Sequence, residues 1–180
     1  MKLFITGGAG FIGSNFIHYI LREHPEDTVV NFDKLTYAGN LANLKDIEKD
    51  PRYTFVQGDI AEIDAVRKAV PEHCDAMVNF AADTHVDRSI LDPEAFLKTD
   101  IFGTRVLLEV AKEQKLKRYV QISTDEVYGD IDAGQFSKET DRLHPSSPYA
   151  ASKAAGDLMV LAYVRTYDVP ALITRCTNNL

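Results

Sequence analysis

The stretch TGGAGFIG, Thr6 to Gly13, decides how the rest of this sequence is read. It follows the apolar run KLFIT and opens an amphipathic stretch from Phe11 to Arg22, so a strand, a glycine turn and a helix succeed one another. Gly8, Gly10 and Gly13 satisfy G-x-G-x-x-G in that setting. Glycine permits the tight turn, lets backbone approach a pyrophosphate and allows close packing of helix on strand, while the helix N-terminus supplies N–H groups and partial positive charge. The next apolar run, TVVNF, ends on Asp33, twenty residues past Gly13, where an acid accepts the hydroxyls of an adenosine ribose. Turn and acid together point to a dinucleotide cofactor, and to NAD over NADP, whose 2'-phosphate the carboxylate repels.

Outward from this unit the same alternation continues. YTFVQ precedes Ala61 to Ala69, DAMVNFAA precedes Pro93 to Gln114, KRYVQIS precedes Pro148 to Tyr167, and VPALITR follows. A stretch from Leu41 to Lys49 fills the gap after the second strand. Short, nearly continuous hydrophobic strands separated by helices predict a doubly wound α/β fold of Rossmann type, a parallel sheet with helices on both faces, in one domain over residues 1–180. Asp92 before Pro93 and Ser147 before Pro148 read as helix caps followed by an N1 proline. Gly129 to Ser146 reads as a long loop, of a kind that is often functional.

Composition narrows the classes of function. A formal net charge of -7 without a lysine and arginine block speaks against nucleic-acid binding, which depends on basic surface. No run approaches the roughly 18 apolar residues of a membrane span, and MKLFIT is too short for a signal peptide, so a cytoplasmic protein is expected. Cys74 and Cys176 lack metal-site spacing and read as ordinary core cysteines, with no metal expected. The chain stops shortly after the sixth strand, at TRCTNNL, which suggests a piece of a longer polypeptide.

Three further stretches carry candidate chemistry. In NFAADTHVDRS, Asn79 to Ser89, small Ala81 and Ala82 allow backbone approach to a cofactor at the carboxyl edge of the sheet; His85, Asp87 and Arg88 read as a solvated loop or local ion pair. GDI, Gly58 to Ile60, either lines an adenine or simply forms a turn. Tyr149 and Lys153 lie one turn apart on one face of a helix, so an ammonium can favour the phenolate and let tyrosine take a proton from an alcohol while hydride leaves for nicotinamide. In STDEVYGD, Thr124 sits at the strand end to hold that hydroxyl, and Asp125 and Glu126 follow at once. Alone they read as a solvated pair; at the carboxyl end of the strand beside the expected nicotinamide they read as an acid and a base.

TGGAGFIG, the strand-end Ser-Thr and YAASK resemble the extended short-chain dehydrogenase/reductases, and DKLTYAGNL, HVDRSI, STDEVYGD and TRCTNN resemble the dTDP-glucose 4,6-dehydratase family within them, over essentially the whole chain. The resemblance implies tightly held NAD and a redox-neutral dehydration of dTDP-glucose. Tyr149, helped by Lys153 and Thr124, takes the 4-hydroxyl proton during C4 oxidation. Glu126 then removes the C5 proton and Asp125 protonates the leaving 6-hydroxyl, after which hydride returns to C6. It further implies cofactor contacts at Gly7, Gly10, Phe11, Ile12, Gly13, Asp33, Lys34, Leu35, Thr36, Asp59, Ile60, Phe80, Ala81, Ala82, Asp83, Thr84, Thr99 and Asn179, with Tyr149 and Lys153 also touching the cofactor. Substrate contacts fall at Thr84, Thr124 and Asn178, and a homodimer is implied. Asp83-Thr84 departs from the family's Glu-Ser by one methylene and keeps the hydroxyl. Family members continue into a C-terminal substrate region. A nucleotide-sugar epimerase, another sugar-nucleotide dehydratase, or a noncatalytic NAD-binding module are the other readings.

Overall fold

The structure, a computed structural model, describes residues 1–84 and 93–178. Six strands form one sheet: β1 (Lys2–Thr6), β2 (Thr28–Asp33), β3 (Tyr53–Gln57), β4 (Ala76–Asn79), β5 (Arg118–Thr124) and β6 (Ala171–Cys176). Their order is β3-β2-β1-β4-β5-β6, and every pairing is parallel. Parallel neighbours require crossovers, and these are supplied by α1 (Phe11–Glu23), a 3₁₀ segment (Leu41–Ile47), α2 (Ile63–Ala69), α3 (Pro93–Phe96) with α4 (Thr104–Glu113), and α5 (Pro148–Tyr167).

The periodicity of β1 explains why the sheet is covered on both faces. Leu3 and Ile5 join Ile17, Ile20, Leu21 and Val29 under α1, whereas Phe4 joins Phe32, Met77, Leu107, Tyr119 and Val160 on the other side. Successive side chains of a strand point to opposite faces, so a strand apolar at every position has to be buried twice. Strand order reverses between β1 and β4, the place where open parallel sheets leave a crevice at the carboxyl ends of their strands.

The helical expectations need two corrections. The stretch expected from Leu41 to Lys49 is a 3₁₀ segment over Leu41–Ile47 with non-helical backbone at Leu44, closed at its start by the Asn40 side chain accepting from Ala42 N–H. The long helix from Pro93 is interrupted: Leu97–Gly103 is π-helical between α3 and α4. Gly103 lets this segment lie close to the turn after β3, since a Cβ there would stand 2.5 Å from the Ile60 side chain. Ser147 caps α5 as expected, its hydroxyl accepting from Ala150 N–H at 3.0 Å. His85, Asp87, Arg88, the Asp92 cap and Asn179 lie outside the described residues.

Candidate active site

The carboxyl ends of β1, β2, β4, β5 and β6 open into one cleft of about 420 Å³ that contains both the glycine turn and Tyr149 with Lys153. The turn is built on Gly7, which has φ +69° and whose N–H donates to Phe32 O at 3.0 Å. A Cβ at Gly7 would stand 2.5 Å from Ala81 N, so the turn and the Ala81–Ala82 segment can meet only across a glycine. Of the glycines in the turn, Gly7, Gly10 and Gly13 line the cleft. Gly8 faces the interior instead, against Asn31 and Ile17, so the glycine spacing that matters for the cleft is Gly7-Gly10-Gly13. Gly10 precedes α1 as its N-cap and offers no side-chain cap, and the first turn carries no acid, which leaves the helix's positive end open to an anion. This cradle fits a pyrophosphate.

Asp33 is 8% exposed, and both of its oxygens are already engaged: Oδ2 accepts from Ala9 N–H at 2.9 Å and Oδ1 from Leu35 N–H at 2.8 Å. The acid therefore ties the glycine turn to the segment after β2 while still facing the cleft. Leu35, expected as a contact, supplies only that N–H, from a backbone with φ +59°, and does not line the cleft. Lys34 pairs with Asp59 at 2.9 Å. Burial works against the Asp59 carboxylate, yet Lys34, the Ala61 N–H and Lys98 together hold it below its ordinary range. With Lys34 engaged at Asp59, the carboxylate of Asp33 dominates this end of the cleft.

At the other end, Thr99 Oγ1 donates to Asp83 Oδ2 at 2.9 Å and Tyr37 Oη accepts from Thr84 N–H at 3.2 Å. Beneath the cleft a buried ladder runs from Thr6 Oγ1 to Asn79 Oδ1 at 2.5 Å, then from Asn79 Nδ2 to Gln121 Oε1 at 3.0 Å, with Tyr119 Oη donating to the same Gln121 oxygen at 2.6 Å. Neutral side chains paired in this way hold three adjacent strand ends level without burying an unmatched charge.

Lys153 Nζ donates to Ile122 O at 2.9 Å, and the Tyr149 and Thr124 hydroxyls share a hydrogen bond. The Tyr149 phenol is pushed up to about 12, first by burial and then by the negative charges of Asp100 and Glu126, against the smaller effect of Thr124. This differs from the sequence expectation that Lys153 lowers it. The ammonium is directed to a backbone carbonyl, and two nearby carboxylates act in the opposite sense. Asp100, on the π-helical segment, carries a buried charge that local sequence did not reveal. It is 3% exposed, accepts from Ser152 Oγ at 2.6 Å, and its carboxyl is pushed up to about 6 by burial, against Lys153 and Ser152.

Asp125 and Glu126 begin the 3₁₀ turn Asp125–Tyr128, whose first N–H groups are capped by Thr124: Glu126 N–H donates to Thr124 Oγ1 at 3.3 Å. The same hydroxyl donates to Asp125 Oδ1 at 3.2 Å. The two acids sit in different surroundings. Asp125 is exposed, whereas Glu126 is partly buried and lines the cleft, its carboxyl pushed up by burial and by the charge of Asp125. A carboxylate raised in this way is the stronger base of the pair.

The expected residues Phe11, Ile12, Thr36, Ile60, Phe80, Ala81 and Ala82 line the cleft, as do Asp83, Thr84, Thr99, Thr124 and Asn178. Sequence reading missed Ala38 and Gly39, where a Cβ would stand 2.9 Å from Asp33 Oδ1, and Ser123, Cys176 and Thr177 at the ends of β5 and β6. Their signal was positional, each lying at or just past a strand's carboxyl end. Cys176 also corrects an expectation. Cys74 is a buried core thiol, whereas Cys176 is exposed and faces the cleft from the last position of β6, at the carboxyl end of the sheet. Among the described residues, no group of three or more His, Cys, Asp or Glu could hold a metal ion, and no helix is long and apolar enough to cross a membrane.

Known proteins are similar to this chain in sequence and fold. The chain is 50% identical over 183 residues to dTDP-glucose 4,6-dehydratase of Streptomyces niveus, covering 99% of this chain and 54% of that protein. It is 49% identical over 179 residues to low-salt glycan biosynthesis protein Agl12 of Haloferax volcanii, covering 99% of this chain and 57% of that protein. Among solved structures, DesIV of Streptomyces venezuelae, a dTDP-glucose 4,6-dehydratase crystallised with NAD, matches with a TM-score of 0.95 at 48% identity, over 100% of this chain and 56% of that one. The chain thus spans little more than half the length of the relatives it matches. The profile described as GDP-mannose 4,6 dehydratase matches residues 4–180, and the chain belongs to that family.

Proposed function

We propose that the protein carrying this chain converts dTDP-glucose to dTDP-4-keto-6-deoxyglucose, with NAD held in the cleft by the glycine turn and Asp33. The observation that carries the reading is the capped turn that sets Asp125 and Glu126 directly beside Thr124 and Tyr149. Bound NAD supplies the hydride acceptor for C4 and the hydride donor for C6. Thr124 and Tyr149 hold the 4-hydroxyl, and Tyr149 takes its proton. A phenol pushed up to about 12 holds its own proton at neutral pH, so Tyr149 can accept the 4-hydroxyl proton only where nearby positive charge, from Lys153 and from NAD when bound, would favour the phenolate. Glu126, raised by burial and by Asp125, takes the acidified C5 proton, Asp125 delivers a proton to the leaving 6-hydroxyl, and Glu126 returns a proton to C5 as C6 is reduced.

An epimerase has no use for an acid and a base at C6 and C5, so these two carboxylates favour dehydration over C4 inversion. The sugar nucleotide is taken to be dTDP-glucose because the Streptomyces niveus and Streptomyces venezuelae relatives, at 50% and 48% identity, are dTDP-glucose 4,6-dehydratases. The proposal includes a cytoplasmic setting, where NAD and nucleotide-activated sugars are available. It also includes a homodimer, supported by exposed Leu97 and Phe102 on the π-helical segment beside exposed Leu158 and Leu161 on α5, an apolar face suited to two-fold pairing. Light scattering at rising concentration tests the dimer.

The activity is tested by incubating the full-length protein with NAD and dTDP-glucose and reading the alkali-induced absorbance of a 4-keto-6-deoxy sugar. Asp125→Asn and Glu126→Gln should each lower product formation on the order of 100-fold. Undiminished product in both variants, or conversion only between glucose and galactose, refutes the reading.

A further inference from the structure

Behind the acid turn lies a polar cluster that does not reach the cleft. Arg175, on β6, donates from Nε to Asp157 Oδ2 at 2.8 Å and from one terminal nitrogen to Tyr128 Oη at 2.8 Å, with its guanidinium 5.2 Å from the centre of the Tyr128 ring. Tyr128 closes the Asp125–Tyr128 turn, and Asp157 lies one helical turn beyond Lys153 on α5. None of the three residues lines the cleft. Arg175 stands opposite Ser123 in the β5–β6 register, one position before Thr124, which caps the acid turn.

We infer that Tyr128, Arg175 and Asp157 form a clamp that positions the Asp125–Glu126 turn against Tyr149 and Lys153, and so serves the elimination half of the reaction and not the oxidation half. This rests on the dehydratase reading given above. Tyr149 and Lys153 ride on α5, which the Ser147 cap, the Ser152–Asp100 bond and the Lys153–Ile122 bond already hold. The acid turn has fewer anchors. Val127 is buried, the Val127 carbonyl accepts from His144 N–H at 3.0 Å, and the turn ends at Gly129 with φ +75°. At its start the Thr124 cap shares a hydrogen bond with Tyr149; at its far end the side-chain link to α5 runs from Tyr128 through Arg175 to Asp157.

The energetics agree with a positioning role. Asp157 is 1% exposed and the Arg175 side chain 12%. Desolvation of two such charges offsets most of their attraction, and a buried pair of this kind contributes little net stability while fixing geometry. Burial raises the Asp157 carboxyl even with Arg175 beside it. The planar guanidinium is suited to the task because it bonds the acid and the phenol along two fixed directions, which an ammonium cannot reproduce.

The test uses the full-length protein with NAD and dTDP-glucose in deuterated water. Tyr128→Phe keeps the ring and removes only the acceptor for Arg175; Arg175→Lys keeps the charge and removes the fork. In both, single-turnover reduction of nicotinamide should stay within about 3-fold of wild type, whereas deuterium entry at C5 and product formation should fall about 10- to 100-fold, so that reduced nicotinamide accumulates. Equal slowing of both halves, or unslowed elimination, overturns the clamp. A wild type that never reduces its nicotinamide with dTDP-glucose refutes the dehydratase reading instead. The clamp is then decided without substrate, by carbon-13 titration of Glu126: a midpoint that drops toward the ordinary carboxyl value in Tyr128→Phe supports it, and an unchanged midpoint overturns it.

Discussion

Replacing Asp100 with asparagine should stabilise the protein at neutral pH, although it removes a charged residue that accepts a short hydrogen bond. The carboxyl is 3% exposed and its pKa is pushed up from 3.8 to about 6, chiefly by burial. With the folded value above the unfolded one, the stabilising effect of the proton is fully present below about pH 3.8 and is lost as pH rises through about 6. Above that range the ionised group costs about 3 kcal/mol, from a shift of about two units at about 1.4 kcal/mol each. Asparagine keeps an oxygen for Ser152 Oγ and carries no charge to desolvate, but its amide N–H groups need partners, which takes back about 1 kcal/mol. The expected gain is about 2 kcal/mol near pH 8, shrinking toward zero or below near pH 4. Urea unfolding of wild type and variant at several pH values measures it. A difference that does not change with pH, or a variant less stable near pH 8, refutes the reasoning that burial dominates at this carboxyl.

Three other outcomes follow from the same geometry. Gly7→Ala places a Cβ 2.5 Å from Ala81 N in a backbone of φ +69°, and should cost about 1–3 kcal/mol in urea unfolding and abolish fluorescence enhancement of added NADH. Asp33→Asn leaves an oxygen for one of the Ala9 and Leu35 N–H groups but removes the charge, so calorimetry should show NAD binding weakened about 10-fold and the preference over NADP reduced or inverted. Tyr119→Phe removes the donor at 2.6 Å from buried Gln121 and should cost about 1–2 kcal/mol, with NAD affinity unchanged because the rest of the ladder up to Thr6 is retained. A fall in affinity there, equal to that from Asp33→Asn, would show that the ladder positions the glycine turn directly.

Much of this molecule is legible from its residues in chain order. Strands apolar at every position, such as Leu3-Phe4-Ile5, must be buried on both faces, and that requirement leads to a parallel sheet between helices without any knowledge of contacts. The glycine turn, the acid at the end of β2, the Ser147 cap and the Tyr149–Lys153 spacing are likewise local, because each depends on backbone geometry within one or two turns. What the tertiary structure decided depends on residues far apart in the chain. That Gly7 and not Gly8 faces the cleft follows from Ala81 packing against it; that Asp100 is a buried acid follows from the π-helical segment lying against Ser152 on α5. The electrostatics of the site were decided in the same way. Lys153 is directed to Ile122 O, Tyr149 is raised by Asp100 and Glu126, and Tyr128, Arg175 and Asp157 meet only because β6 lies beside β5. A short-range pattern records which face a residue prefers; desolvation and partner charge, which set a pKa or hold a turn in place, exist only once distant segments are brought together.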